Sequence, residues 1–338
     1  MFRDLLYKIY QRQDLTEEEM AAMLGRIFSG NATDAQIGAF MGALATKGET
    51  YAELAGAARA MRKKAIRIGT TARDVIDTCG TGGDSTGTFN ISTVTAFVVA
   101  GCGVVVAKHG NRSISSQCGS ADLLEAMGIN LDLDPEIVEE AITEIGIGFL
   151  FAPKHHGAMK YAANARKQIA LRSIFNMLGP LTNPAAANRQ LVGVFAPELT
   201  EMFALALQRL GTRRALVVHG HDGMDEISVC ASTRVCELKD DRITTYDISP
   251  ETYFGRLADP EEIRGGDPGQ NAQIAKNILS GKKGAQRDIV LINSAAALMA
   301  AGRAETIEQG IAMAESSIDT AAAMDKLESL VEFTRENA

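Results

Sequence analysis

A chain of 338 residues with 46% hydrophobic and 22% charged residues has apolar material enough for a globular protein of one or two domains. Its net charge of -8 excludes broad nucleic-acid binding, which needs a basic face, so any anion must be held by local geometry. The five cysteines, at 79, 102, 118, 230 and 236, contain no CxxC pair and fit no zinc spacing; reduced thiols are expected.

The first residues, MFRDLLYKIYQRQDLTEEEM, carry acids early and lack the apolar core of a leader. The longest apolar run, 94–107, is broken by Gly101 and Gly103 and is shorter than the ~20 residues a membrane helix needs. A soluble, cytoplasmic protein is expected.

Residues 1–70 read as helices. Thr16-x-x-Glu19, Thr33-x-x-Gln36 and Thr50-x-x-Glu53 each fit a capping box, followed by apolar residues at helical spacing. Gly30 and Gly48 stand where helices stop. The basic run Arg62-Lys63-Lys64 reads as a solvated face.

From residue 73 strands and helices alternate. Strands are expected at 74–77, 103–107, 148–151, 191–195 and 214–218, with helices at 92–100, 120–127, 135–144, 159–169 and 199–210 between them. Two further strands, 234–238 and 242–246, are joined by an Asp240-Asp241 turn, and helices follow at 272–279, 288–301 and 306–334. Such alternation predicts an α/β fold: a small helical domain, 1–70, and a large domain, 71–338, with a mostly parallel sheet flanked by helices. Gly265-Gly266-Asp267-Pro268-Gly269 reads as a turn rather than a site.

The first loop with chemical content is Gly80-Thr-Gly-Gly-Asp84-Ser-Thr-Gly-Thr88. Ser85 breaks a dinucleotide fingerprint, and Thr88-Phe89 stands where a P-loop needs Lys-Ser/Thr. What remains is a dense glycine turn ahead of a helix whose start, Asn90-Ile91-Ser92-Thr93, offers donors to an anion. Asp84 would repel a bare phosphate, so a donor, an amine or a metal should lie beside it.

The second loop, 108–120, places Lys108, Arg112, an amide and several hydroxyls after a core strand, with no acid before Asp122. Arginine forks and lysine point charges suit phosphate oxygens. A third loop carries Asp225-Glu226. Alone it suits an acidic surface turn; beside two anion loops it suits Mg²⁺, which takes one or two carboxylates together with phosphates. Arg166, near a helix end, could hold a substrate carboxylate, although a cation there is also favourable to the helix dipole. Asn176 to Pro184 reads as a rigid, non-catalytic connection.

Together GTGGD…TFNIST, KHGNRSISS…GSAD, NMLGPLTNP and DGMDE resemble the anthranilate phosphoribosyltransferase family over nearly the full length. The resemblance implies a homodimer formed through the helical domain, which also makes one wall of the active-site cleft. It implies transfer of phosphoribose from 5-phosphoribosyl 1-diphosphate (PRPP) to anthranilate, with Mg²⁺ as cofactor. The PRPP ligands it implies are Gly80, Gly83, Asp84, Thr88, Asn90, Ile91, Ser92 and Thr93 on the first loop. On the second loop they are Lys108, His109, Gly110, Asn111, Arg112, Ser113, Ile114, Ser115, Ser116 and Ser120. Anthranilate falls to Gly80, Asn111 and Arg166, and the metal to Ser92, Asp225 and Glu226; Lys108 is expected to help electrostatically, with no covalent catalyst.

Two departures stand out: Ser85 and Ala170 occupy positions where the family more often has glycine. A pyrimidine nucleoside phosphorylase shares the KHG…SS loop but needs no diphosphate or metal pair. A non-catalytic nucleic-acid binder on this fold would want a basic groove, which the net charge opposes.

Overall fold

The computed structural model describes residues 1–113 and 117–337, so the predicted ligands Ile114, Ser115 and Ser116 lie outside the described residues. The chain opens with α1 (Phe2–Tyr10), α2 (Glu17–Ile27), α3 (Asp34–Lys47) and α4 (Tyr51–Lys64). Then come β1 (Ile76–Gly80), α5 (Ile91–Gly101), β2 (Val106–Gly110), α6 (Ser120–Ala126), α7 (Pro135–Glu144) and β3 (Ile147–Phe151). The middle of the chain holds α8 (Ala152–His155), α9 (Lys160–Ile169), β4 (Arg189–Gly193), α10 (Leu199–Arg209) and β5 (Arg214–Gly220). A hairpin, β6 (Thr233–Lys239) and β7 (Arg242–Ile248), precedes α11 (Glu251–Phe254), α12 (Pro268–Leu279), α13 (Ala285–Ala300), α14 (Ile307–Asp319) and α15 (Ala322–Glu336).

All three capping boxes form: Thr16, Thr33 and Thr50 each accept from the amide three residues on, and Glu19, Gln36 and Glu53 reach back. Glu53 does more than cap. Fully buried, it also accepts from the Leu15 amide at 2.9 Å and pairs with Lys47 at 3.0 Å, tying α2, α3 and α4 at one point. The apolar faces of these helices do not close a core of their own. Met20, Leu24, Phe40 and Leu54 belong to one cluster with Ala162, Phe175, Leu181, Phe203, Val192 and Val217. The helical unit thus packs on α9, α10 and one face of the sheet.

The sheet has the order β3-β2-β1-β4-β5-β6-β7; the first five strands are parallel and the last two antiparallel. Period-two alternation divides its side chains between two cores. Leu191, Leu216 and Val218 join α5, α13, α14 and α15 on one face, while Val192, Ala215 and Val217 join the helical unit on the other. Both faces being covered, the strands read as continuous apolar runs. The Asp240-Asp241 turn closes the β6–β7 hairpin with φ of 51° and 59°, the left-handed pair that matches strand twist.

Two expectations need correction. The helix predicted over 306–334 is two helices, broken at Thr320 and Ala321, where Ala321 turns left-handed at φ 63°. The strands expected at 74–77 and 103–107 lie at 76–80 and 106–110, so Gly80, Lys108 and His109 are strand residues rather than loop residues. Pairing with β3 sets that register: Val106 faces Ile147 and Gly110 faces Phe151. Among the described residues, no helix is long and apolar enough to cross a membrane.

Replacing Glu53 by Ala removes the buried partner of Lys47, leaving it the exposed Asp14 at 2.7 Å, and orphans the Leu15 amide. The expected loss is about 1–3 kcal/mol of unfolding free energy, read from urea denaturation of the full chain.

Candidate active site

The strand order reverses between β1 and β4. After β1 the chain crosses by α5 to β2 on one side, while β4 lies on the other side and feeds α10 on the opposite face. Ligands of open α/β sheets bind at the carboxyl ends of the strands at such a switch point. Here those ends are Gly80 and Gly193, which are register partners.

Neither position can carry a side chain. A Cβ on Gly80 would run into the Asp225 carboxylate, and one on Gly193 would overlap the Asp225 carbonyl oxygen. The turn between β5 and β6 therefore rests in a gap between the two strand ends. Its fixings are internal and tertiary: Ser228 Oγ donates to Asp222 at 2.6 Å, and Asn293 of α13 accepts from the Ile227 amide at 2.9 Å and donates to its carbonyl at 2.8 Å. The Gly82 amide donates to Asp225 at 2.7 Å, and the Ser92 amide, in the first turn of α5, donates to Glu226 at 3.1 Å.

Asp225 is pushed above the usual carboxylate range by burial and then by the negative charge of Asp84. Glu226 is pushed up by burial and then by Asp225. Lys108 opposes the charge of Glu226; its ammonium lies 3.4 Å from Ser92 Oγ and donates to the Thr78 carbonyl at 2.5 Å. Asp84, Asp225 and Glu226 thus crowd negative charge at one point with Lys108 opposing Glu226, an arrangement that attracts a further cation. Asp225 and Glu226 are hard oxygen donors, and among the described residues no group of three or more His, Cys, Asp or Glu gathers at a metal-binding point. That donor set fits Mg²⁺, which completes its shell with phosphate oxygens and water, and does not fit zinc.

The glycine turn itself is left-handed at Gly82, Gly83, Ser85 and Gly87, with φ of 67°, 78°, 62° and 72°. Ser85 therefore holds a conformation that glycine adopts more cheaply, as does Ala170 at φ 52° beyond α9. Asp84 accepts from the Thr86 hydroxyl at 2.5 Å.

Several predicted ligands have other occupations. Ile91 is buried in the core and has only backbone groups to offer; Thr93 is buried as well, and its hydroxyl has no hydrogen-bond partner among the described residues. Asn90 spends its amide on structure: it donates to the Cys118 carbonyl at 3.0 Å and accepts from Asn271 at 3.1 Å. Arg112 does not stand as an unpaired cation. It forks onto Glu125 at 2.5 and 2.7 Å and reaches Asp122 at 3.1 Å, acids placed by the first turns of α6. Those two carboxylates hold its pKa above the usual arginine range. Ser120 opens α6 and shares hydrogen bonds with the Asn111 backbone at 3.1 Å, while the Ser113 amide donates to Asp122 at 3.1 Å.

His109 turns its ring away from the loop, into the protein. The Gly179 carbonyl can only accept, so His109 Nδ1 carries the proton at 3.0 Å and its Nε2 accepts from His156 Nε2 at 3.2 Å. Burial, then the mutual influence of the imidazoles, pushes His109 down to about 3; burial, then His155, takes His156 to about 4. Asp77, buried beneath them, accepts from the His109 amide at 3.1 Å and from Asn183 at 2.8 Å. The connection around residues 179–183 is thus the support of the second loop.

Arg166 lies on α9 with its guanidinium 5.6 Å over the Phe175 ring, and among the described residues no carboxylate pairs with it. Burial holds its pKa below the usual arginine range. Two participants were not singled out from sequence. Arg172 stacks on Phe195 at 4.5 Å and donates to the Gly83 carbonyl, linking the Arg166 segment to the glycine turn. The turn at 265–271 bridges Thr88 through Arg264, donates from the Gly265 amide to the Gly87 carbonyl at 2.9 Å, and supplies Asn271. The paired glycines at 265–266 were the available signal.

Residues 72–324 match the α/β domain, and residues 3–65 the helical bundle domain, of a glycosyl transferase family. This fold and site define a two-part glycosyl transferase. Anthranilate phosphoribosyltransferase of Syntrophobacter fumaroxidans is 65% identical over 337 residues, 100% of each chain, and that of Acetivibrio thermocellus is 52% identical over 99% of this chain and 97% of its own. Among solved structures, the Thermus thermophilus enzyme aligns with a TM-score of 0.93 and 41% identity, covering 98% of this chain and 99% of that one. The Saccharomyces cerevisiae enzyme in complex with PRPP and Mg aligns at 0.90 with 25% identity, covering 99% and 98%. The chain belongs to the anthranilate phosphoribosyltransferase family.

Lowered imidazole pKa values make the His109–His156 pair favour the fold above about pH 6.5, with that contribution lost as pH falls through about 4 and 3. Asp77, raised by burial, acts in the opposite sense, so a difference is the useful quantity. His156→Gln should flatten the decline in stability between pH 6.5 and 4 by up to ~1.4 kcal/mol per pH unit, followed by urea midpoints at each pH.

Proposed function

We propose that the chain transfers the phosphoribosyl group of PRPP to the amine of anthranilate, giving N-(5-phosphoribosyl)anthranilate and diphosphate, the second step of tryptophan biosynthesis from chorismate. The observation that carries this reading is the seating of Asp225 and Glu226 at the switch point, against the glycine turn, the α5 amino terminus and Lys108. Only a substrate rich in phosphate oxygens, accompanied by a divalent cation, uses all of these at once.

Mg²⁺, held by Asp225 and Glu226 with the Ser92 hydroxyl beside them, would neutralise charge gathering on the departing diphosphate. Ser92 Oγ is within reach of the Lys108 ammonium at 3.4 Å, so the lysine's charge lies against the same position. The glycine turn and the 108–113 and 117–120 segments orient the sugar phosphates. Arg166 carries the charge complementary to the anthranilate carboxylate, with Phe175 fixing its plane. The aromatic amine of anthranilate is unprotonated at neutral pH, so its lone pair needs no general base and positioning supplies much of the rate. His109 and His156 remain neutral and hold the second loop in place.

Residues 1–70 form one wall of the cleft and the homodimer contact in this reading. The exposed Tyr7 and Tyr10 of α1, 64% and 56% accessible, support an association through that surface.

Purified protein given anthranilate, PRPP and Mg²⁺ should consume anthranilate, followed by loss of its fluorescence; absence of turnover refutes the reading. Arg166→Ala should raise KM for anthranilate by roughly tenfold to a hundredfold, the worth of a charge-assisted hydrogen-bonded pair, and leave KM for PRPP nearly unchanged. Equal effects on both constants would reassign Arg166.

A further inference from the structure

Between the carboxyl ends of α4 and α10 lies an open groove of about 350 Å³ lined by Arg59, Arg62, Lys63, Arg67, Arg209, Leu210 and Gly211. It lies far from the chemistry just described. The site occupies the carboxyl edge of the parallel strands, whereas α10 leaves that edge after β4 and ends, at Arg209, ahead of the first residue of β5. The groove therefore opens at the opposite edge.

Five cations meet here in a chain whose net charge is -8. Among the described residues, Glu17 is the one carboxylate ion-paired with any of them, through Arg59. Glu18 also faces Arg59 and Arg209, and two helix carboxyl ends add about half a negative charge each, so a positive excess of about two units remains. Arg62 is the informative member. Its Nε donates to the Leu181 carbonyl at 2.7 Å, and burial followed by the charges of Arg59 and Arg67 pushes its pKa down to about 10. Arg59, Lys63, Arg67 and Arg209 are exposed around the half-buried Arg62. Here Leu181 holds one guanidinium among like charges, and Arg59 donates to the Arg209 carbonyl at 2.8 Å, which fixes a second.

We infer that this groove is a second oxyanion site, separate from the transferase centre, for a small multiply charged phosphate. Guanidinium forks match phosphate oxygens in pairs, and convergent cations favour a compact dianion or trianion over a monoanion. The volume admits a group of the size of inorganic diphosphate.

Equilibrium dialysis of the full chain with radiolabelled inorganic diphosphate and Mg²⁺ tests it. Two diphosphates per chain are expected in the wild type, one of them at the transferase centre. Lys63→Gln with Arg67→Gln, both at exposed positions, should leave one per chain with turnover of anthranilate unchanged. Asp225→Asn with Glu226→Gln should lose the other. One diphosphate per chain in the wild type, two in the Lys63→Gln/Arg67→Gln variant, or removal of the second by potassium chloride at matched ionic strength would overturn the inference. Wild-type turnover, measured on the same preparation, reports on the transferase reading separately.

Discussion

The structure depends on a gap. At the centre of the parallel sheet two register-paired strands end in glycine, and the acidic turn of a third connection fills the space that two side chains would take. Everything needed for the chemistry is referred to that contact. Asp225 bonds the glycine turn that follows β1, Glu226 bonds the helix that follows the turn, and Lys108 arrives from β2 to oppose the charge of Glu226. The sheet's register, set by long apolar runs covered on both faces, fixes where the gap lies to within one residue.

The electrostatics of this point run against stability. Buried carboxylates close together, with one lysine among them, cost free energy in an isolated chain, and their raised pKa values are the sign of it. Strained, uncompensated charge is what a site prepared for a cation and a polyphosphate should contain. The buried network next to it has the opposite character. Asp77, Asn183 and His109 have their donors and acceptors paired, His156 pairs through Nε2 while its Nδ1 is left without a partner among the described residues, and the neutral imidazoles add no net charge beneath the phosphate loop. One network stores affinity for ligands; its neighbour holds the loop rigid.

Much of this was legible in the sequence because it is local. Capping boxes at Thr16, Thr33 and Thr50 depend on residues three apart, and all three form. Apolar runs and the Asp240-Asp241 turn announced the sheet and its hairpin. Strand registers slipped by two or three residues because continuous apolar stretches such as Val104-Val105-Val106 carry no phase of their own; pairing with a distant strand supplies it. The break between α14 and α15 was missed since Ala321 gives no breaker signal. Site chemistry was legible as residue type, and less so as role. Asn90, Thr93 and His109 have the donors of ligands, yet partners 28 to 181 residues away, or plain burial, claim their side chains. Arg112 read as a phosphate ligand, and its pairing with Asp122 and Glu125 was not visible because they become its partners only once α6 forms. Arg172 was passed over because its target is a backbone carbonyl, and Gly83 looks like any other glycine in sequence.

The account stands on Asp225 and Glu226 being placed by the gap between Gly80 and Gly193. Its most direct test is Gly193→Ala, whose added methyl overlaps the Asp225 carbonyl and must displace the turn. Mn²⁺ binding in the presence of PRPP, titrated by electron paramagnetic resonance, should weaken by about tenfold to a hundredfold while far-UV circular dichroism stays that of the wild type. Unchanged Mn²⁺ affinity in a folded Gly193→Ala protein would contradict the account.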